Sequence, residues 1–206
     1  MYTTMDSFCM REEEKQGYHR EQLWILGGNL LEEKMINKYY ILEQLYIKTQ
    51  KERTLECTDL LGNITKCTFK WNQPICKEQL KILKNKFNLR LPDDYEKFLL
   101  MSNGAILYND DEDSGYMIFS LEEAINYTEK KRLCGYDGLK EEWLVFMVNL
   151  FDSDMLLFDM DRVNDKQYIL DGIADESEEE WRYLKWDFQK IFNLLFRVNG
   201  DNFWRW

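Results

Sequence analysis

Apolar positions along the chain fall into alternating helical and strand periods. From Leu30 to about Gln50, Leu31, Met35, Tyr39, Leu42 and Leu45/Tyr46 recur at helical spacing. Ile36, Tyr40, Ile41 and Ile47 coat the opposite face, so this helix is expected to pack on two sides, a weak hint of a homodimer. The stretches 54–58 and 64–71 alternate instead, with Cys67, Phe69 and Trp71 on one face and Gly62-Asn63 as a two-residue hairpin turn between them. A helix from Pro74 to about Asn88 turns Leu80, Leu83 and Phe87 inward. Strands follow at 105–108 and 116–119. Ser120 and Glu123 then form a capping box for a helix over 121–133. Further strands are expected at 143–151, 155–160 and 167–173, with Asp-rich turns between them. A last helix over about 178–198 carries Trp181, Leu184, Phe188, Ile191, Phe192 and Leu195 on its buried face. Closely spaced strands with short polar turns predict an antiparallel meander. The expected class is α+β: a mostly antiparallel sheet of about five or six strands layered against helices.

One segment is more specific than periodicity. In Leu91-Pro92-Asp93-Asp94-Tyr95-Glu96-Lys97-Phe98-Leu99-Leu100-Met101-Ser102-Asn103-Gly104, a proline starts a helix where its missing N–H costs nothing. Asp93 and Asp94 face the positive end of the helix dipole, and Tyr95, Phe98 and Leu99 share a core face. Asn103 or Gly104 supplies the left-handed residue that stops the helix. The string, with Phe119-Ser120-Leu121-Glu122-Glu123 after it, resembles the signature of the SUKH superfamily of Smi/Knr-type domains. Its carriers are Leu91, Pro92, Asp94, Tyr95, Phe98, Leu99, Asn103 and Gly104. The resemblance covers about residues 74–198. It implies a SUKH-like domain over 74–206, preceded by an extension over 1–73 made of a tail, the long helix and the hairpin.

Composition narrows the function classes. The chain has 206 residues, 45% apolar and 15% aromatic, enough for a substantial core. No apolar run approaches a membrane span, and the polar N-terminus has no secretory h-region, so a cytoplasmic protein is expected. The five cysteines are widely spread and the single histidine is His19, so neither a zinc site nor a histidine-based catalytic triad is indicated. Cys57 and Cys67 are expected opposite each other across the hairpin, as reduced thiols. Charge is asymmetric: residues 1–90 carry 15 Lys/Arg and 12 Asp/Glu, whereas residues 91–206 carry 12 and 26. An acidic half repels nucleic acid and favours a basic partner. The Asp152-Ser153-Asp154 and Asp159-Met160-Asp161 fragments lack the glycine of an EF-hand loop and read as solvated turns.

These features point to a binding protein without cofactor, metal or catalytic residues. By the resemblance, bacterial members of the superfamily act as immunity proteins that neutralise a cognate toxin, often a nuclease, by direct contact. The alternatives are a regulatory or scaffolding module of the Smi/Knr type and, as a minor reading, a carboxylate- or metal-dependent hydrolase. The expected contact set is Asp110, Asp111, Glu112 and Asp113, Asp152 and Asp154, Glu176, Glu178, Glu179 and Glu180, and the terminal Trp204 and Trp206.

Overall fold

The computed structural model describes residues 40–58, 62–110, 114–134, 138–165 and 167–205. Its elements are α1 (Tyr40–Lys51), β1 (Thr54–Thr58), β2 (Ile64–Trp71), α2 (Lys77–Lys86), α3 (Asp93–Met101), β3 (Ala105–Asn109), β4 (Tyr116–Ile118), α4 (Leu121–Leu133), β5 (Trp143–Asn149), β6 (Met155–Asp159), β7 (Ile169–Gly172), β8 (Arg182–Leu184) and α5 (Phe188–Arg197). A short 3-10 turn at Phe203–Arg205 follows. The eight strands form one sheet in chain order, every neighbouring pair antiparallel. The class is α+β, as the patterning predicts. Strands β6 and β7 are buried along their whole length, and β5 is buried as far as Val148. This explains why they read as continuous apolar runs rather than alternating ones. β4 is too short to accompany all of β5, and α4 takes its place: Thr128 Oγ1 accepts a hydrogen bond from Val145 N at 2.9 Å.

The core is centred on α3. Tyr95 and Leu99 are completely buried and Phe98 nearly so. The Tyr95 ring lies 5.9 Å from Phe146, 4.8 Å from Phe158 and 5.3 Å from Phe188, while Phe146 and Phe158 stack at 4.0 Å. One helix face is thus tied to two central strands and to the last helix. The preceding residue completes the joint. Asp94 Oδ1 accepts from Tyr95 N at 3.0 Å, and Oδ2 accepts from Gln189 N at 3.0 Å. Phe188 N donates to Tyr168 Oη at 3.0 Å, and Lys190 N donates to Asp187 Oδ1 at 2.7 Å. The first three N–H groups of α5, which no helical carbonyl can reach, each find a side-chain oxygen.

Asn103 and Gly104 have a different duty from the expected helix stop. The residue that ends α3 is Ser102, in extended conformation. Asn103 Oδ1 reaches across to accept from Leu121 N, an orphan donor at the start of α4, at 3.0 Å. Gly104 has φ +96°, and a Cβ there would meet Ser120 N at 2.7 Å and Ile118 O at 2.9 Å. The buried Ser102 hydroxyl bonds the Gly104 and Asn72 carbonyls. The signature's tail therefore stitches α3 to β2, β4 and α4. Ser120 and Glu123 form the expected capping box.

Four further expectations change. The sheet has eight strands rather than five or six, because the 54–71 hairpin joins it through β2–β3 and because β8 lies within the span read as helix. Residues 178–180 form a turn, Arg182 pairs with Asp171, and the helix begins only after Asp187. The acids at 176–180 thus sit at no helix N-terminus. The β1–β2 connection runs from residue 59 to 63 rather than being a two-residue turn, since Thr58 pairs with Ile64. Cys57 lies opposite Thr65 and Cys67 opposite Leu55, so the two buried free thiols are diagonal neighbours. The tail, His19, the first part of the long helix, Asp111, Glu112, Asp113 and Trp206 lie outside the described residues. Among the described residues no helix is long and apolar enough to cross a membrane.

The α3 joint can be tested at Tyr95 and at Asp94. The Tyr95 hydroxyl is buried with no hydrogen-bond partner, so Tyr95→Phe is expected to keep or raise the thermal midpoint. Tyr95→Ala is expected to cost about 3–5 kcal/mol in urea unfolding. Asp94 is held above the usual carboxylate range, chiefly by burial, with the Asp187 charge adding to it against the N–H bonds from Gln189 and Tyr95. A raised folded-state value favours the protonated native form, so this contribution to stability is present in acid and lost as pH rises through that value. The stability deficit of Asp94→Asn, measured by urea unfolding from acid to neutral pH, is therefore expected to be largest in acid and to shrink toward neutrality. A deficit that grows toward neutrality contradicts the assignment.

Candidate functional site

In a chain-ordered meander the odd-to-even connections all emerge at one end of the sheet. Among these are the β3–β4 loop, the β5–β6 turn and the start of the β7–β8 connection, and Arg205 returns to the same end. Leu150 N donates to Gly115 O at 2.9 Å, joining the first two. Ala174 N donates to Asp154 Oδ1 at 2.7 Å, joining the second and third. The Trp204 ring packs 5.8 Å from Tyr116, and Phe203 lies against Trp186 at 5.3 Å.

Carboxylates brace the two ends of the β3–β4 loop and the β5–β6 turn from within. Asp110 accepts from Ser114 N at 3.1 Å and from Ser114 Oγ at 2.6 Å. Asp152 Oδ1 accepts from Asp154 N at 3.0 Å and Oδ2 from Asn149 Nδ2 at 3.1 Å, while Ser153 takes φ +66°. The turn that results projects Phe151, which is 76% exposed. Partial desolvation and the neighbouring Asp154 carboxylate push Asp152 above its ordinary range.

Asp154 has an internal task. Its Oδ2 pairs with Arg205 Nη1, while Asp171 receives Arg205 Nη2 at 2.8 Å and Nε at 3.3 Å. Burial opposes the guanidinium charge, but the Asp171 and Asp154 carboxylates outweigh it and hold Arg205 above its ordinary value. Asp171 is almost wholly buried.

Of the expected contact residues, the structure brings Asp110, Asp152, Asp154 and Trp204 to one end, with exposed Glu176 following Ala174. Asp154 is consumed by Arg205, and Trp204 is half-buried on the domain. Glu178 lies elsewhere: its carboxylate packs on Gly138, after α4, and Glu179 and Glu180 follow it in the same turn. Phe151 was missed because it reads as the end of an apolar strand, although the Asp-Ser-Asp turn beginning at the next residue signals that the chain has already left the sheet. Among the described residues no cluster of metal-ligating side chains occurs.

The Arg205 clamp makes a direct prediction. Arg205→Met leaves two largely buried carboxylates uncompensated and is expected to cost about 3–5 kcal/mol in urea unfolding. Combining it with Asp154→Asn and Asp171→Asn is expected to recover part of that loss.

A model of the SMI1 / KNR4 family (SUKH-1) matches residues 74–193, from the segment before α2 into α5, including the whole Leu91–Gly104 signature. Over 129 residues the chain is 32% identical to the uncharacterized protein YobM of Bacillus subtilis (strain 168), covering 59% of this chain and 65% of YobM. It thus spans just under two thirds of that relative's length. It is also 26% identical over 137 residues to the uncharacterized protein YnaB of the same organism, covering 66% of this chain and 87% of YnaB. With the signature, the antiparallel sheet and the family match in agreement, the chain belongs to the SMI1 / KNR4 family (SUKH-1).

Proposed function

We propose that this protein is an immunity protein, which binds a cognate bacterial toxin domain in the cytosol and neutralises it by contact rather than by catalysis. The observation that carries the reading is the acidic sheet end, where Phe151 projects beside Asp152. A solvent-exposed aromatic on a self-braced turn is an anchor that loses little entropy on binding. Carboxylates beside it attract a positively charged partner and speed encounter, as the basic substrate groove of a nuclease would require. Membership of a family of protein-binding domains supports the same reading. The contact is assigned to the domain over 74–206, with residues 1–73 as an extension.

Co-expression with candidate toxin domains from neighbouring genes, scored by survival and co-purification, tests the function. Phe151→Ala is expected to weaken the complex at least about tenfold, mainly through faster dissociation. Asp152→Asn with Glu176→Gln is expected to slow association and flatten its dependence on ionic strength. These effects are read by surface-immobilised binding kinetics at several salt concentrations. A complex unchanged by both sets of substitutions contradicts the surface assigned.

A further inference from the structure

The β1–β2 hairpin carries two thiols apart from the acidic sheet end. Cys57 and Cys67 lie on its core-facing side, 6% and 5% exposed, with buried Phe69 two residues beyond Cys67 on the same face. Their register makes them diagonal neighbours: Cys57 stands opposite Thr65 and Cys67 opposite Leu55. The Cys67 thiol donates a hydrogen bond to the Cys57 sulfur. That bond holds Cys57 below the ordinary thiol range, against burial and with the Lys48 charge adding to it. Cys67 is held above that range by the same bond, by burial and by negative charge on Cys57 and Asp110.

The pair is unsymmetrical. The thiolate is the nucleophile, so Cys57 is the sulfur readied to attack, and Cys67 keeps its proton beside it. β1 is the last strand of the sheet, with β2 as its single neighbour. An edge strand opens locally more readily than a central one, which admits an oxidant little larger than water. Diagonal neighbours stand about 7–8 Å apart at Cα, and a disulfide needs at most about 7 Å. An edge strand can close that gap without breaking a second ladder. We propose that Cys57 and Cys67 are a peroxide-reactive dithiol, free in the resting protein and converted to a disulfide by hydrogen peroxide. The Cys57 thiolate attacks one peroxide oxygen and the O–O bond breaks. Hydroxide leaves and takes up a proton to give water, and Cys57 becomes a sulfenic acid. The Cys67 sulfur loses its proton and attacks the Cys57 sulfur; the S–O bond breaks and a second water forms. Two thiols thus give two electrons to one peroxide. The pair does not rest on the toxin reading.

The test uses the full chain, reduced, freed of reductant and treated with hydrogen peroxide under native conditions at neutral pH. Expected are a monomer lighter by the mass of two hydrogens, a Cys57–Cys67 cross-linked peptide after alkylation and proteolysis, and return of both thiols with dithiothreitol. Cys67→Ser is expected to stop at the sulfenic acid, labelled at Cys57 by dimedone, whereas Cys57→Ser is expected to leave Cys67 unlabelled. Cys134→Ser, which removes an exposed thiol, is expected to form the disulfide as fast as the wild type. A cross-link that maps to another pair, oxygen added only at Cys134, a loss of two hydrogens that appears only in urea, or dimedone on Cys67 in the Cys57→Ser variant each overturn the proposal.

Discussion

One carboxylate, Asp94, holds the two halves of the helical layer together. It sits in the first turn of α3 and accepts the Gln189 N–H from the first turn of α5, ninety-five residues later. Two helix N-termini, each the positive end of a dipole, converge on it. With Tyr168 and Asp187 it satisfies the donors that open α5. The adjacent Tyr95 then places its ring among Phe146, Phe158 and Phe188. Polar closure and aromatic packing are therefore neighbours in sequence and partners in space. That coupling gives the Asp-Tyr step of the family signature a physical meaning: it docks the last helix on the sheet.

The opposite end of the sheet is closed by another long-range charge pairing. Arg205 grips Asp154 and Asp171, so the Phe203–Arg205 turn is part of the fold rather than a free arm. This pairing sorts the acidic turns into two kinds. Asp154 and Asp171 are internal counter-charges, whereas Asp152, next to Phe151 in the chain, and Glu176 face solvent. Net acidity in the C-terminal half thus has two origins, and only the second is available to a partner.

Local signals in the sequence carried most of the architecture. The capping box at Ser120, the core face of α3 and the β5 and β6 runs are all set by residues within one or two turns of each other. What escaped was non-local. Trp181, Leu184 and Phe188 have helical spacing, yet β8 exists because Arg182 to Leu184 find a partner strand in β7. Asn103 and Gly104 read as a helix stop, but their geometry answers to Leu121, Ser120 and Ile118. Of the expected contact residues, the acids of tight turns were legible as exposed. The loss of Asp154 to Arg205 was not, since the two lie fifty-one positions apart in the chain.

Residues 91–104 build the fold, and the toxin contact proposed here lies in the turns at the far end of the sheet. Amide hydrogen exchange of the complex with the toxin domain, compared with the free protein, tests that separation directly. The account predicts new protection at residues 149–154 and 114–116, with exchange in 91–104 unchanged because it is already slow. New protection confined to 91–104, with the turns unaffected, would contradict it.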